Sequence, residues 1–125
     1  MWEHLEFPDR AAVSVFGSLA PGGALVFTAP HSSQFHKVPR DFARYTKMKV
    51  VAMFEKTGFC APREKMGGGG DFIFDAARAL GMRKSDFNDE ELVMGYHRGY
   101  DAISDGAIGI FAIVYKPPHT ACSPL

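Results

Sequence analysis

The sequence carries no excess of charge of either sign. Lys and Arg together number 14, and Asp and Glu together also number 14, so the formal net charge is zero. A chain without a basic excess lacks the electrostatic footprint of nucleic-acid or anionic-membrane binding. It also lacks any run that approaches the roughly 18 apolar residues of a membrane span. The first residues, MWEHLEFPDR, are too acidic and mixed for a signal peptide. We therefore expect no nucleic-acid or membrane partner, and a location in the cytoplasm or the interior of an organelle.

Cysteine is scarce and is not arranged for metal binding. Cys60 and Cys122 are far apart and neither has a CxxC partner, which predicts free thiols in a reducing compartment. Three histidines, His31, His97 and His119, show no ligand spacing with one another or with either cysteine. We therefore expect no metal site.

The composition that is present indicates a single globular domain. The chain has 125 residues, of which 46% are apolar and 11 are Phe. That length suits one modest domain over residues 1–125, and the apolar content excludes a disordered chain.

The first half of the chain alternates helical and extended patterns. Apolar residues at positions 12, 15, 16 and 19 predict a helix that opens at Pro8 and stops at the Ala20–Gly23 turn. Ala24–Pro30 is continuously apolar, which predicts a strand covered on both faces and a parallel sheet. A second helix is predicted over Lys47–Thr57, with Thr46 as its N-cap and Gly58 as its C-cap.

The second half is predicted to be mainly helical before a last strand. Phe59–Met66 reads as an edge strand, and Gly67–Gly70 as a flexible turn before a helix over Phe72–Met82, with Asp71 as its N-cap. A phosphate loop at the glycines is the alternative, although the required Lys-Ser/Thr is absent. A further helix from Asp89 is predicted from apolar residues at positions 92, 96, 100 and 103. The strongest strand is Ala107–Pro117.

The segment from His36 to Thr46, HKVPRDFARYT, has features that are typical of a loop at the edge of a ligand-binding site. Pro39 fixes its backbone, and Asp41 and Arg44 are three residues apart, able to form an ion pair across a helical turn. It follows a strand that ends at Pro30, and in open α/β sheets ligands bind at the carboxyl ends of strands. This position favours a functional role for residues 31–45.

Several pieces of the sequence, in order, resemble the second half of a class I S-adenosylmethionine-dependent methyltransferase, with the methyltransferase type 11 group as the nearest match. The family features are a Glu-His pair, a helix that ends in Leu-x-Pro-Gly-Gly, a strand that ends in proline, a His-x-x-Pro-x-Asp-Phe-x-Arg-Tyr-Thr loop and a helix that ends in Gly-Phe. They are matched at Glu3-His4, Leu19–Gly23, Pro30, His36–Thr46 and Gly58-Phe59. The resemblance covers about half of the chain, and residues 60–125 fit only in outline.

The resemblance implies an α/β fold, a partial Rossmann-like sheet that holds the family's fifth to seventh strands with the last one antiparallel, and a helical insertion over residues 66–106. It implies methyl transfer from S-adenosylmethionine to a small-molecule acceptor. The family's Gly-rich cofactor loop and the acidic residue after its second strand have no counterpart here, so the N-terminal cofactor-binding half is expected to be missing and the isolated chain inactive.

The resemblance also implies roles for individual residues. Glu3 and His4 would contact the cofactor, and His36 would act as a proton acceptor or bind the methyl acceptor. The wall on the acceptor side would carry His31, Asp41, Arg44 and Tyr45. Structural alternatives remain open: a frayed end at Glu3 and His4, a loop histidine at His36, a local Asp41–Arg44 ion pair, and packing at Tyr45.

Two further functions remain open. The chain could be a non-catalytic interaction module that forms a homodimer or docks on a partner chain through an open sheet edge. It could also be a phosphate- or nucleotide-binding protein that uses Gly67–Gly70.

Overall fold

Two helices and a four-stranded sheet form the part of the chain that the structure, a computed structural model, describes. The described residues are 1–32, 40–70, 77–78, 80–86, 96–104, 107–118 and 122. The elements in chain order are α1 (Pro8–Ser18), β1 (Ala24–Pro30), α2 (Lys47–Thr57), β2 (Met66–Gly69), β3 (Tyr96–Arg98) and β4 (Gly109–Tyr115). Short 3₁₀ turns lie at Trp2–His4, Arg63–Lys65, Lys84–Asp86 and Tyr100–Ala102. Of the helices described, none has the length and apolar character to cross a membrane.

Both helices begin and end where local chemistry predicts. Pro8 stands in the first turn of α1, where a missing N–H costs nothing. The Thr46 side chain caps α2 by accepting a hydrogen bond from the Lys49 N–H at 3.1 Å. Gly58 ends α2 in the left-handed conformation, at φ 114°, which suits a residue without a Cβ. These predictions are confirmed.

The sheet has the strand order β1-β4-β2-β3, and every neighbouring pair is antiparallel. The prediction of mixed helix and strand is confirmed, as is a last strand antiparallel to its neighbours. The parallel pairing expected around β1 is wrong for the described sheet. Because β4 lies between β1 and β2 and opposes both, β1 and β2 point in the same direction without touching.

The glycine run belongs to a strand and is not a turn. Gly67–Gly69 form most of β2 and are buried between β4 and β3. A Cβ on Gly67 would clash with the His97 carbonyl and the Phe111 ring. The close approach of two strands therefore explains why glycine stands here. This geometry gives Gly67–Gly69 no loop in which to cradle a phosphate, so the predicted turn and the phosphate-loop alternative are both wrong for these residues.

The region predicted as a helical insertion contains two of the strands. Tyr96–Arg98 is β3, paired with Gly67–Gly69 in register, and Tyr100–Ala102 is a 3₁₀ turn. The predicted helix through Tyr96 and Tyr100 is therefore wrong there, because pairing with β2 overrides a spacing that also fits a helix. Residues 71–76, 79 and 87–95, which hold most of the other predicted helical positions, lie outside the described residues. Ala77 and Arg78 are helical.

An aromatic cluster joins the sheet to α2 and the first 3₁₀ turn. The Phe27 ring of β1 lies 5.2 Å from Phe54 of α2 and 5.4 Å from Trp2, measured between ring centroids. Phe54 continues the cluster to Phe59 at 5.3 Å. Tilted and edge-to-face pairs at such spacings stabilise a core beyond their buried area. The cluster fixes the residues around Glu3 against the carboxyl-terminal half of β1.

Cys60 and Cys122 form a disulfide, so the prediction of free thiols is wrong. Their Cα atoms are 5.6 Å apart, a separation typical of bridged cysteines. Cys60 also pairs with Tyr115 in an isolated β-bridge. Spacing along the sequence did not reveal this proximity because 62 positions separate the two residues.

Candidate functional site

A cleft opens at the carboxyl end of β1. It has a volume of about 270 Å³ and lies between Met1 and Glu3, the β1 residues Thr28–Pro30, and the stretch Ile108–Phe111 at the start of β4. We call it the β1-end cleft. Its walls combine apolar side chains with one carboxylate, which suits an organic ligand that carries hydroxyl or amino groups.

Glu3 supplies the carboxylate and is itself buried, at 7% exposure. Burial alone raises the pKa of Glu3, but hydrogen bonds from the Met1 amino group and from its own backbone, together with nearby positive charge, bring the net pKa below its usual value. The side chain is therefore ionised at neutral pH. An ionised carboxylate beside a cleft accepts hydrogen bonds from ligand hydroxyl or amine groups.

His4 lies between Glu3 and the segment at residues 40–45. Its Nδ1–H donates to the Arg40 carbonyl, and its Nε2 lies 3.2 Å from Glu3 Oε1. This histidine therefore connects the first 3₁₀ turn to the segment at residues 40–45. It lies beside the carboxylate and does not line the cleft.

The segment at residues 40–45 is bound to both walls of the cleft. The Phe42 N–H donates to the Glu3 carbonyl at 2.7 Å, and the Tyr45 N–H donates to the Pro30 carbonyl at 3.0 Å. These bonds bring together three parts of the sequence that carry the resemblance: Glu3-His4, Pro30 and the loop before Thr46. The positions of these parts along the sequence did not predict that they would be in contact.

Asp41 and Arg44 form the predicted ion pair. Arg44 Nη1 and Nη2 lie 2.5 and 2.7 Å from the two Asp41 carboxylate oxygens. The Asp41 side chain is only 1% exposed, and its hydrogen bond raises the pKa of Arg44. The pair forms across irregular backbone and not across a helical turn. Its bidentate geometry fixes the segment next to the cleft.

Tyr45 lies in the core, at 0% exposure. Its ring packs edge-on against Phe27 at 5.4 Å, and its hydroxyl donates to the Trp2 carbonyl at 3.2 Å. Burial, followed by the charges of Glu3 and Asp9, raises the pKa of Tyr45 to about 12. In this position Tyr45 supports the cleft walls and presents no surface to a ligand.

His31 faces a different cleft. This second cleft, of about 210 Å³, is lined by His31, the residues Thr46–Met48 and the pair Ile103-Ser104. The His31 Nδ1–H donates to the Ala107 carbonyl at 2.9 Å. His31 is therefore not brought together with Glu3, although it directly follows Pro30.

The predicted catalytic residue, His36, lies outside the described residues, as do Pro39 and His119. Among the residues that are described, no group of three or more His, Cys, Asp or Glu is placed to hold a metal ion. The structure thus gives no geometry for His36.

Sequence reasoning missed the apolar and hydroxyl side of the β1-end cleft. Thr28, Ile108 and Phe111 line it, and none was singled out from the sequence. The pairing of β1 with β4 brings Phe111 opposite Thr28. The two apolar strands were both visible as patterns, but their register was not.

Comparisons with family models, with curated proteins and with solved structures found no match to this chain.

Proposed function

We propose that this chain is the acceptor-side portion of a class I S-adenosylmethionine-dependent methyltransferase that acts on a small-molecule acceptor. The observation that carries the proposal is one cleft lined by Glu3 and by the end of β1 at Pro30, both of which are hydrogen-bonded to the segment at residues 40–45. These are the parts of the sequence on which the resemblance rests.

The sheet adds a second, weaker support. The resemblance implies a last strand that is antiparallel to its neighbours, and β4 has this relation to both β1 and β2. A partial Rossmann-like sheet, in which β1 and β2 point the same way, is the finer fold that we propose on this basis.

Only a few residues in and beside the cleft have a role in this proposal. Glu3 would accept hydrogen bonds from hydroxyl or amine groups of the cofactor, and His4 would orient it through the Glu3–His4–Arg40 chain of contacts. Phe111 and Ile108 would supply an apolar wall. In methyl transfer the protein mainly positions the acceptor nucleophile in line with the sulfonium methyl, so fixed walls matter more than an acid or base.

We expect the chain by itself to bind the cofactor weakly and to lack methyltransferase activity. The Gly-rich loop that carries most cofactor contacts in the family has no counterpart in these 125 residues. We therefore expect only weak cofactor binding by the chain, with a Kd on the order of 1 mM, and no methyl transfer.

The test is a titration of the ¹⁵N-labelled chain with S-adenosylhomocysteine, followed by backbone amide chemical shifts. We expect saturable shifts that are concentrated at Glu3, Thr28, Ala29 and residues 108–111. Glu3→Gln should weaken the binding roughly tenfold because a hydrogen bond to a charged acceptor is lost. Glu6→Gln is the matched control, since Glu6 is exposed and outside the cleft.

Two results would contradict the proposal. Shifts that are absent at high ligand concentration, or that cluster away from the cleft, would remove the cofactor assignment. Micromolar binding would instead show that the chain holds a cofactor site of its own, and the acceptor-side assignment would fall.

A non-catalytic interaction module is the second candidate function. Val26 of β1 favours it, since this large apolar side chain is 67% exposed on an outer strand of the sheet.

A further inference from the structure

β1 is an outer strand of the sheet, and its residues alternate between those that bond to β4 and those that do not. The Lys116 N–H donates to the Gly23 carbonyl at 2.8 Å, and the His31 N–H donates to the Ile108 carbonyl at 2.6 Å. Both contacts continue the β1–β4 register beyond its two ends. Since bonded pairs alternate along an antiparallel ladder, the odd-numbered residues of β1 bond to β4. The even-numbered residues therefore direct their N–H and C=O groups away from β4.

Two independent contacts agree with this assignment. Tyr115, which lies opposite Ala24, exchanges both of its backbone hydrogen bonds with Cys60, at 2.9 and 3.0 Å. At the other end, Pro30 directs its carbonyl outward, where it accepts from the Tyr45 N–H. The outward-directed residues that remain are Ala24, Val26 and Thr28.

These three residues form an edge with no protection against pairing, within the part of the chain that is described. All three are exposed, and Val26 is 67% exposed. Natural edge strands are blocked by lysine, proline or a bulge. Here no charged residue lies between Ala24 and Pro30, and the proline stands at the last position, after the free stretch.

We propose that this edge pairs with the same edge of a second copy of the chain, antiparallel and about a twofold axis at Val26. The proposal goes beyond the methyltransferase function and does not depend on it. Its basis is self-complementarity: each of the three residues offers one donor and one acceptor, and none of them is proline.

The twofold axis matches every outward group with a partner. Val26 pairs with Val26 of the second copy, and Ala24 pairs with Thr28 of the second copy, each pair exchanging two hydrogen bonds. Beyond the three pairs, Pro30 of one copy would come opposite Gly22 of the other, but the Pro30 carbonyl is already bonded to the Tyr45 N–H, so no fourth pair forms. The pairing thus ends where the free groups end.

Side chains and charge favour a second copy as the occupant. The two Val26 side chains come to lie beside each other on the same face of the joined sheet, which shields part of each from water. The formal net charge is zero, so long-range repulsion does not oppose the approach of two copies. The edge is short, however, so the dimer should dissociate on dilution.

The pairing would also add a wall to the β1-end cleft. Thr28 belongs both to the free edge and to that cleft. In the dimer, Ala24 of the second copy would stand beside Thr28 and narrow the cleft at its outer side.

The test is sedimentation equilibrium of the chain from about 1 µM to about 1 mM. We expect a reversible monomer–dimer equilibrium with no larger species. Val26→Lys should weaken dimerisation at least tenfold because two ammonium groups would meet at the axis. Val13→Lys is the matched control, since Val13 is 61% exposed on α1, and it should leave the equilibrium unchanged.

A second variant tests the backbone and not the side chain. Ala24→Pro removes an N–H that faces away from β4, so the strand should still fold, while two hydrogen bonds of the dimer are lost. Far-ultraviolet circular dichroism checks the fold of each variant. In concentrated wild-type solution, the Val26 and Thr28 amides should be protected from hydrogen exchange, and dilution should remove that protection.

Three outcomes would overturn the proposal. They are a monomer at every concentration, a dimer unaffected by either β1 variant, and species that grow beyond the dimer, because the twofold pairing uses the β1 edge of both copies. Oligomeric state and S-adenosylhomocysteine shifts are separate readouts, so the dimer and the methyltransferase assignment can fail independently.

Discussion

Tyr45 shows how one residue supports several neighbours of the β1-end cleft. Its ring contacts Phe27, its hydroxyl bonds to Trp2, and its N–H bonds to Pro30. The side chain is completely buried, so ionisation of the phenol would place an uncompensated charge in the core. This explains why the pKa of Tyr45 rises to about 12.

The raised pKa of Tyr45 predicts a loss of stability in alkaline solution. Below about pH 10, the usual pKa of tyrosine, folded and unfolded states both keep the proton. Between about pH 10 and pH 12 the unfolded state loses it first and binds fewer protons, so the free energy of unfolding falls as pH rises. Urea unfolding of wild type and Tyr45→Phe at pH 8 and pH 11.5 measures this effect.

The difference between the two proteins isolates Tyr45, since all other groups are shared. At pH 8 the variant should be about 1 kcal/mol less stable because it lacks the hydrogen bond to Trp2. At pH 11.5 the wild type should have lost roughly 2 kcal/mol of stability through Tyr45, so the difference between the two proteins should shrink or reverse. An unchanged difference would mean that Tyr45 titrates in the folded protein as it does in the unfolded chain.

At the scale of elements, β2 contains three glycines, and at Gly67 there is no room for a side chain. Its position between β4 and β3 brings the Phe111 ring and the His97 carbonyl against Gly67. A strand of three glycines has little side-chain packing of its own. It is therefore held by the strands on both sides.

Gly67→Ala should accordingly destabilise the protein by about 1–3 kcal/mol, because the added methyl group forces β2 away from β3 or displaces Phe111. The control is Gly17→Ala in α1, where a Cβ meets nothing within 4 Å. There alanine should stabilise by about 0.5–1 kcal/mol. Thermal unfolding of both variants measures the contrast. Equal effects would mean that β2 is not packed as described.

Elements that carry their own boundary signals could be predicted from the sequence. The first turn of α1 and both caps of α2 rest on local chemistry and appear as predicted. β1 and β4 are strands as predicted, but β1 was expected to be covered on both faces, and its Val26 is 67% exposed. β2 and β3 could not be predicted this way. Glycine has no side-chain pattern to read, and the spacing around Tyr96 fits a helix until β2 is present as a partner.

The contacts of the site also differ in whether they could be predicted from the sequence. The Asp41–Arg44 pair is local and was predictable from a spacing of three residues. The contacts of Phe42 with Glu3 and of Tyr45 with Pro30 depend on how distant parts of the chain meet. The resemblance brought these parts to attention, but only tertiary packing brings them into contact beside the cleft.

For the whole molecule, the Cys60–Cys122 disulfide is the longest covalent constraint. It spans 62 positions and joins Cys60, which lies between α2 and β2, to Cys122, which lies after β4. Closing a loop of that length removes conformational freedom from the unfolded chain, which in the chain-entropy model stabilises the fold by roughly 4 kcal/mol. A cleft of about 290 Å³ lies beside the bridge, between Glu55, Glu64 and Tyr115.

Reduction should therefore lower the stability of the protein by roughly 4 kcal/mol, as measured by urea unfolding with and without dithiothreitol. Cys122→Ser should be as unstable without reductant as the wild type is with it, and should not respond to reductant. A wild-type protein that is equally stable in both conditions would show that the bridge contributes nothing.

The strand order has a consequence for how the chain reaches its fold. β4, at Gly109–Tyr115, is late in the sequence, yet it is the only strand of the described sheet that contacts both β1 and β2. During synthesis β1 leaves the ribosome some eighty residues before its partner. Until then its apolar face and its unprotected edge are both open. Contacts so distant in sequence slow folding, so the nascent chain depends on being kept from aggregation until its sheet can close.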